Sequence, residues 1–259
     1  MERFSGSHEI VSTFANTGDE QEETLKFVEA CDKEFGLNVV WLEAVTHFGK
    51  RKGCTHKVVD FDSASRNGEP FVDVVKKYGI PNSGYFHCTR ELKLNPMLSY
   101  LRSIGWSKNY TTCIGIRADE IDRQNSKRKE KHLWYPLIQA GVTRSKIDEL
   151  WNSREFRLAI PQFRGNCKAC HKKSFRKLIT IARQNPDDFK TFRELEQTCK
   201  FAMSGQRKLF RTGKTVDDIF QMAQDNSIKS FTEETFVDPM LDLNGGCSES
   251  CEVFTDKND

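Results

Sequence analysis

Four short segments carry residue types whose spacing suits chemistry. The first is Asn16-Thr17-Gly18-Asp19-Glu20, between a β-branched run and a helical pattern. A Thr-Gly turn there offers backbone N–H groups, and the helix after it directs its positive end at the same place, an arrangement that suits an anion such as phosphate. The same residues also read as an ordinary strand-to-helix turn. The second is Cys88-Thr89-Arg90-Glu91-Leu92-Lys93. If it is helical, Arg90 and Lys93 share a face and suit a phosphate or sulfate; a plain surface pair fits the spacing equally. The third is Gly115-Ile116-Arg117-Ala118-Asp119-Glu120 with Arg123 beyond. After a strand, Arg117 and Arg123 would emerge at the same sheet edge as Thr17 and clamp a phosphate. Asp119, Glu120 and Asp122 would serve magnesium or pair with neighbouring cations. The fourth is Cys167-Lys168-Ala169-Cys170, where two thiolates at a loop-to-helix turn converge on one metal or form a redox pair. Cys247 and Cys251 make a second pair, and Cys88 a fifth candidate ligand.

The rest of the composition limits the setting. Nine cysteines, an odd number in a chain with no visible secretory leader, argue against a disulfide framework and for metal or thiol chemistry. The net charge of +3 neither demands nor excludes nucleic acid. Basic runs occur at Lys50-Arg51-Lys52, Lys127-Arg128-Lys129 and His171-Lys172-Lys173. No apolar run approaches the ~20 residues that span a bilayer, so the expected location is the cytoplasm, with no membrane partner.

Elements must position these segments. Ile10 to Ala15 reads as a buried strand, and Leu25, Val28, Cys31 and Phe35 as the inner face of a helix closed by Gly36. Val39-Val40-Trp41-Leu42 reads as the next strand, in β-α-β order that favours a parallel sheet. Residues 46–57 read as a polar loop, Val58 to Phe61 as a short strand, and Pro70 and Asn95-Pro96 as helix starts. Tyr110 to Ile116 and His132 to Tyr135 read as strands. Helices are expected from Thr143 to Trp151 and over 171–184, 187–199 and 215–224. Cys31 and Cys113 fall at core positions by periodicity; Cys54 and Cys199 have no assignment.

In this order the segments resemble the phosphoadenosine-phosphosulfate reductase family in its phage and bacterial form, within the adenine-nucleotide alpha-hydrolase-like superfamily. Phe14-Ala15-Asn16-Thr17-Gly18 with Glu23-Thr24-Leu25 is similar to the family's strand and Thr-Gly turn. Gly115-Ile116-Arg117 with Arg123 is similar to its substrate segment. Tyr135-Pro136-Leu137 with Ile147 and Trp151 is similar to the Pro-bearing strand and Trp-bearing helix that come next in the family. The resemblance implies an α/β fold: a Rossmann-like, mostly parallel sheet flanked by helices over residues 1–165, a helical portion over 166–245 opened by the Cys-x-x-Cys, and a Cys-bearing tail over 246–259. It implies an adenine nucleotide or sulfonucleotide held by Asn16, Thr17, Gly18, Arg90, Lys93, Gly115, Arg117 and Arg123. The implied activity is sulfur transfer, sulfonucleotide reduction or adenylation, with a nucleic acid as a possible acceptor and a thiol protein as reductant. It also implies a [4Fe–4S] cluster or zinc on Cys88, Cys167 and Cys170, completed by His87, Cys247 or Cys251.

Two departures from the family pattern set further expectations. The family's Ser-Gly-Gly phosphate loop precedes the Asn-Thr-Gly turn by a helix and a strand, whereas Ser5-Gly6-Ser7 stands only 11 positions before Asn16. The expectation is a sheet without its usual first strand and helix. The reductases also end in Glu-Cys-Gly-(Leu/Ile)-His, whereas this tail reads Glu249-Ser250-Cys251-Glu252. Cys251 is then the candidate for the cysteine that attacks sulfur. The competing reading is a non-catalytic remnant or a metal-stapled binding module of the same fold.

Overall fold

A computed structural model describes residues 6–82, 87–165, 167–199, 210–211 and 213–232. The order begins β1 (Thr13–Asn16), α1 (Glu22–Phe35), β2 (Val40–Thr46), β3 (Cys54–Val59) and α2 (Glu69–Tyr78). A π-helical segment (Thr89–Leu94) then runs into α3 (Asn95–Ser103). β4 (Thr112–Cys113), a 3₁₀ segment (Ala118–Arg123), β5 (Leu133–Trp134), α4 (Pro136–Gln139) and α5 (Arg144–Asn152) follow. The C-terminal part contributes α6 (Phe175–Gln184), a 3₁₀ turn (Pro186–Phe189), α7 (Lys190–Thr198) and α8 (Val216–Gln224).

The protein is α/β, with two small sheets among the described residues. β1 and β2 pair in parallel across the α1 crossover, with Asn16 opposite Glu43, as the β-α-β order predicts. β3 pairs antiparallel to β2, so this three-stranded sheet is mixed. β4 and β5 pair in parallel in a separate two-stranded sheet. Arg117 therefore follows a strand that is not hydrogen-bonded into the sheet carrying Thr17. The expected long strand from Tyr110 to Ile116 is reduced to Thr112–Cys113. Part of the expected loop over 46–57 is strand instead, because Cys54 to Lys57 ladder against β2.

β2 is mostly apolar because its side chains alternate between two faces that are both covered. Trp41 packs with Leu25, Val59 and Ala64 in one cluster, its ring 4.8 Å from Phe14. Ala44 joins the larger core with Phe71, Val74 and Val75 of α2. That core also takes in Leu178, Ile181, Phe189, Phe192, Phe210 and Ile219, so it runs without a break across position 165. Each such side chain, fully buried, contributes about 2–3 kcal/mol of transfer free energy before cavity and entropy terms. α1 turns one face to α5 and the residues after it: Phe27 lies 4.9 Å from Trp151, and Arg154 pairs with Glu34 at 2.9 Å. Phe35, read as an inner residue, is instead 40% exposed at that contact. Cys113 is exposed and Cys31 only half-buried, because β4 has two residues and α1 buries Leu25 alone.

The end of β1 is fixed by side chains rather than by the ladder. Asn16 Nδ2 donates to Glu43 Oε1 at 2.7 Å and to the Ser65 carbonyl at 2.8 Å, and Gly18 N–H donates to Asn16 Oδ1 at 3.1 Å. Glu43 also accepts from Ser65 N at 2.5 Å and Ser65 Oγ at 3.0 Å. Gly18 is required twice over. Its φ is +78°, and a Cβ would stand 2.9 Å from Pro70 Cδ. Glu43→Ala removes an acceptor from the buried Asn16 amide and the half-buried Ser65 and is expected to lower stability by about 2–3 kcal/mol. Urea unfolding checks this, and an unchanged midpoint would contradict the role given to Glu43.

Candidate functional site

Asn16 to Gln21 are all buried, although this stretch holds only polar residues and one glycine. Their satisfaction recruits distant chain. The Thr17 and Gly18 carbonyls accept from Phe71 N at 3.2 Å and Gly68 N at 2.8 Å, so the turn caps the start of α2. Gln21 Nε2 donates to Asp188 Oδ2 at 3.0 Å. Arg164 Nη2 donates to Gln21 Oε1 at 2.9 Å and to Asp188 Oδ2 at 3.0 Å. Sequence reasoning missed Arg164 and Asp188, which stand in no motif. Glu43 had a signal, a lone carboxylate inside an apolar strand.

The Cys-x-x-Cys segment closes over this turn. Thr17 Oγ1 lies 3.6 Å from Cys167 Sγ, 150 positions away, and Lys168 N–H donates to the Asp19 carbonyl at 2.9 Å. Cys170 N–H donates to the Cys167 carbonyl at 3.3 Å, placing both thiols on one turn. The first and fourth sequence segments thus form a single junction, which their spacing alone does not reveal.

Two titratable groups at the junction are strongly displaced. Burial pushes the Asp19 carboxyl up to about 8, and the charge of Glu20 pushes the same way; Lys168 and Lys173 oppose them. Asp19 Oδ2 and Glu20 Oε2 meet no hydrogen-bond donor among the described residues. Burial drives His171 down to about 3, helped by the charges of Lys172, Arg211 and His87, so the ring is neutral, and its Nε2 meets no partner among the described residues. Desolvation likewise lowers Arg211, and Cys170 counters it. Arg211 also donates to the Lys173 carbonyl at 2.6 Å.

Three of the candidate cations are held by neighbouring carboxylates. Arg90 is exposed and donates to Glu91 Oε1 at 2.9 Å. The segment holding Arg90 and Lys93 is π-helical, and its wider winding undoes the α-helical argument that they stack on one face. Glu91 is pushed up by burial but ends below its ordinary value, because hydrogen bonds from Arg90, Cys54 and Asn95 outweigh that push. Arg117 pairs with Asp119 at 3.1 Å and with Glu120 at 3.3 Å, and Arg123 pairs with Glu120 at 2.5 Å. Asp119 and Glu120 thus make the ion pairs that were one of the two roles open to them. Among the described residues nothing stands within 4 Å of a Cβ on Gly115.

Of the metal candidates, Cys167 and Cys170 share the turn, while Cys88 packs at the edge of the core that includes Ala169. Cys247 and Cys251 lie outside the described residues. Among the described residues, no three His, Cys, Asp or Glu groups converge closely enough to hold one ion. Cys54, unassigned from sequence, is a core thiol pushed up to about 11 by burial.

Comparison with known proteins places the chain in a family. It is 31% identical over 249 residues to the uncharacterized nin region protein ORF290 of Escherichia phage lambda, a match covering 93% of this chain and 84% of that protein. The chain belongs to that protein's family. It is also 27% identical over 121 residues to the uncharacterized protein MJ0066 of Methanocaldococcus jannaschii, covering 47% of this chain but 20% of that protein. No family model matches the sequence. No solved structure matches it either.

The displaced Asp19 carboxyl gives a signed prediction. Its folded value of about 8 lies above the ordinary 3.8, so between those values the folded state holds a proton that the unfolded chain has lost. Its contribution to stability is present at low pH and falls as pH rises through that window. In urea unfolding, the stability of Asp19→Asn relative to the parent is expected to rise from pH 4 to 8 and level off above. A flat difference across the window would contradict the buried, protonated Asp19.

Proposed function

We propose that this protein is a phosphoadenosine-phosphosulfate-reductase-like, nucleotide-handling enzyme. It binds an adenine nucleotide or sulfonucleotide beside the junction of the Asn16-Thr17-Gly18 turn and Cys167–Cys170. The carrying observation is the contact of Thr17 Oγ1 with Cys167 Sγ, 3.6 Å across 150 positions. It joins the turn at the end of a parallel strand, where α/β sheets take ligands, to the thiols that would carry sulfur or metal. The β1-α1-β2 crossover supports the finer reading of a Rossmann-like sheet. Arg90, Lys93, Arg117 and Arg123 are the cations offered to the phosphates, with ligand oxygens replacing the carboxylates that Arg90, Arg117 and Arg123 now hold. The chemistry is sulfur transfer, sulfonucleotide reduction or adenylation, with a nucleic acid as a possible acceptor. A metal or cluster, zinc or [4Fe–4S], would rest on Cys167 and Cys170. The described residues do not close a ligand set by themselves, so Cys88 with His87, Cys247 or Cys251 would have to complete it.

The specific observation on the other side is burial. Asn16 and Thr17 are 0% and 1% exposed, which favours a non-catalytic, metal-stapled module. A metal-free measurement decides between the two. Calorimetry on the full chain is expected to show micromolar binding of ATP or the sulfonucleotide, lost in Arg117→Ala; no heat with either nucleotide favours the module. Metal content is expected to fall in a Cys167→Ser/Cys170→Ser double variant, and unchanged content would remove those thiols from the site.

A further inference from the structure

The hairpin between β2 and β3 has a tip, residues 47–53, that the nucleotide reading does not use. Its sequence is His47-Phe48-Gly49-Lys50-Arg51-Lys52-Gly53, and positions 44–59 contain no Asp or Glu. Lys50, Arg51 and Lys52 are exposed, and Phe48 shows 57% of its surface to solvent. None of the three cations takes part in an ion pair among the described residues.

This tip is held in shape from beneath. Lys77 of α2 is only 3% exposed, yet its ammonium donates to the His47 carbonyl at 2.8 Å and to the Lys52 carbonyl. One buried cation therefore clamps both ends of the tip, and the Tyr78 ring lies 4.7 Å from it. His47 Nε2 and Thr55 Oγ1 close the hairpin at 2.7 Å. Gly49 at φ +134° and Arg51 at φ +61° turn the backbone between the clamped ends. The base of the hairpin abuts the start of α3 and the π-helical segment: a Cβ on Gly53 would lie 3.4 Å from Asn95 Nδ2 and 4.0 Å from Glu91 Oε2, and Glu91 pairs with Arg90.

A clamped tip that offers an aromatic face among unopposed cations matches the chemistry of a strand with phosphates and unstacked bases. The cations track the backbone and the ring stacks on a base. We infer that residues 47–53 form a docking element for single-stranded nucleic acid. The single strand is favoured over a duplex because the Phe48 ring needs an unpaired base to stack on. The inference stands on the hairpin alone and does not require the nucleotide reading.

The test is fluorescence anisotropy of the full chain with a labelled mixed-sequence single strand and a duplex of equal length, from 50 to 200 mM salt. Lys50→Gln/Arg51→Gln/Lys52→Gln is expected to weaken single-strand binding at least tenfold and to reduce the log–log salt slope by about 2. Phe48→Ala is expected to weaken single-strand binding by about tenfold with the slope unchanged. All four side chains are solvent-exposed, and an unaltered circular dichroism spectrum checks the fold of each variant. Absence of binding at 50 mM salt, parent-like affinity in both variants, or tighter duplex binding indifferent to Phe48→Ala would each overturn the inference. Calorimetry with ATP on the same variants is expected to match the parent, so failure at the hairpin and failure of the nucleotide reading are read separately.

Discussion

The structure depends on burying a polar turn. Asn16 to Gln21 leave the end of β1 with backbone and side-chain groups that water cannot reach, and each must find a partner or cost roughly 1–3 kcal/mol. The partners come from four other regions: Glu43 and Ser65, the start of α2 at Gly68 and Phe71, the Cys167–Cys170 turn, and Asp188 with Arg164. The C-terminal helices are tied to the sheet through these bonds as well as through the shared apolar core. Two oxygens, Asp19 Oδ2 and Glu20 Oε2, remain without donors among the described residues, and the proton that burial places on Asp19 is the consequence.

Much of the local structure is legible in the sequence because its causes are local. Gly36 closes α1 at φ +56°, and Thr215 caps α8 by accepting from Asp218 N–H. Phe71, Val74 and Val75 face inward, as their helical spacing predicts. The misreadings have non-local causes. Cys54 to Lys57 look like loop because Thr, His and Lys are polar, but pairing with β2 makes them strand. The π-helix at Thr89–Leu94 carries no mark in its residues, and it displaces the face argued for Arg90 and Lys93.

The candidate site divides in the same way. Its segments are visible as motifs, since a Thr-Gly turn and a Cys-x-x-Cys announce themselves by type and spacing. Their meeting is not visible, because nothing in either segment encodes a contact across 150 positions. Nor is the hairpin tip visible as an element, since residues 50–52 read only as a basic run until Lys77, thirty positions from His47, is seen to clamp both ends. The kinship with the lambda protein extends over most of both chains.

The central claim is that the turn and the Cys-x-x-Cys are one site, and amide hydrogen exchange tests that most directly. With a saturating adenine nucleotide, exchange is expected to slow together at residues 16–21 and 167–170, relative to the protein alone. Slowing at one segment without the other, or only at surfaces remote from both, would contradict a single nucleotide site at their junction.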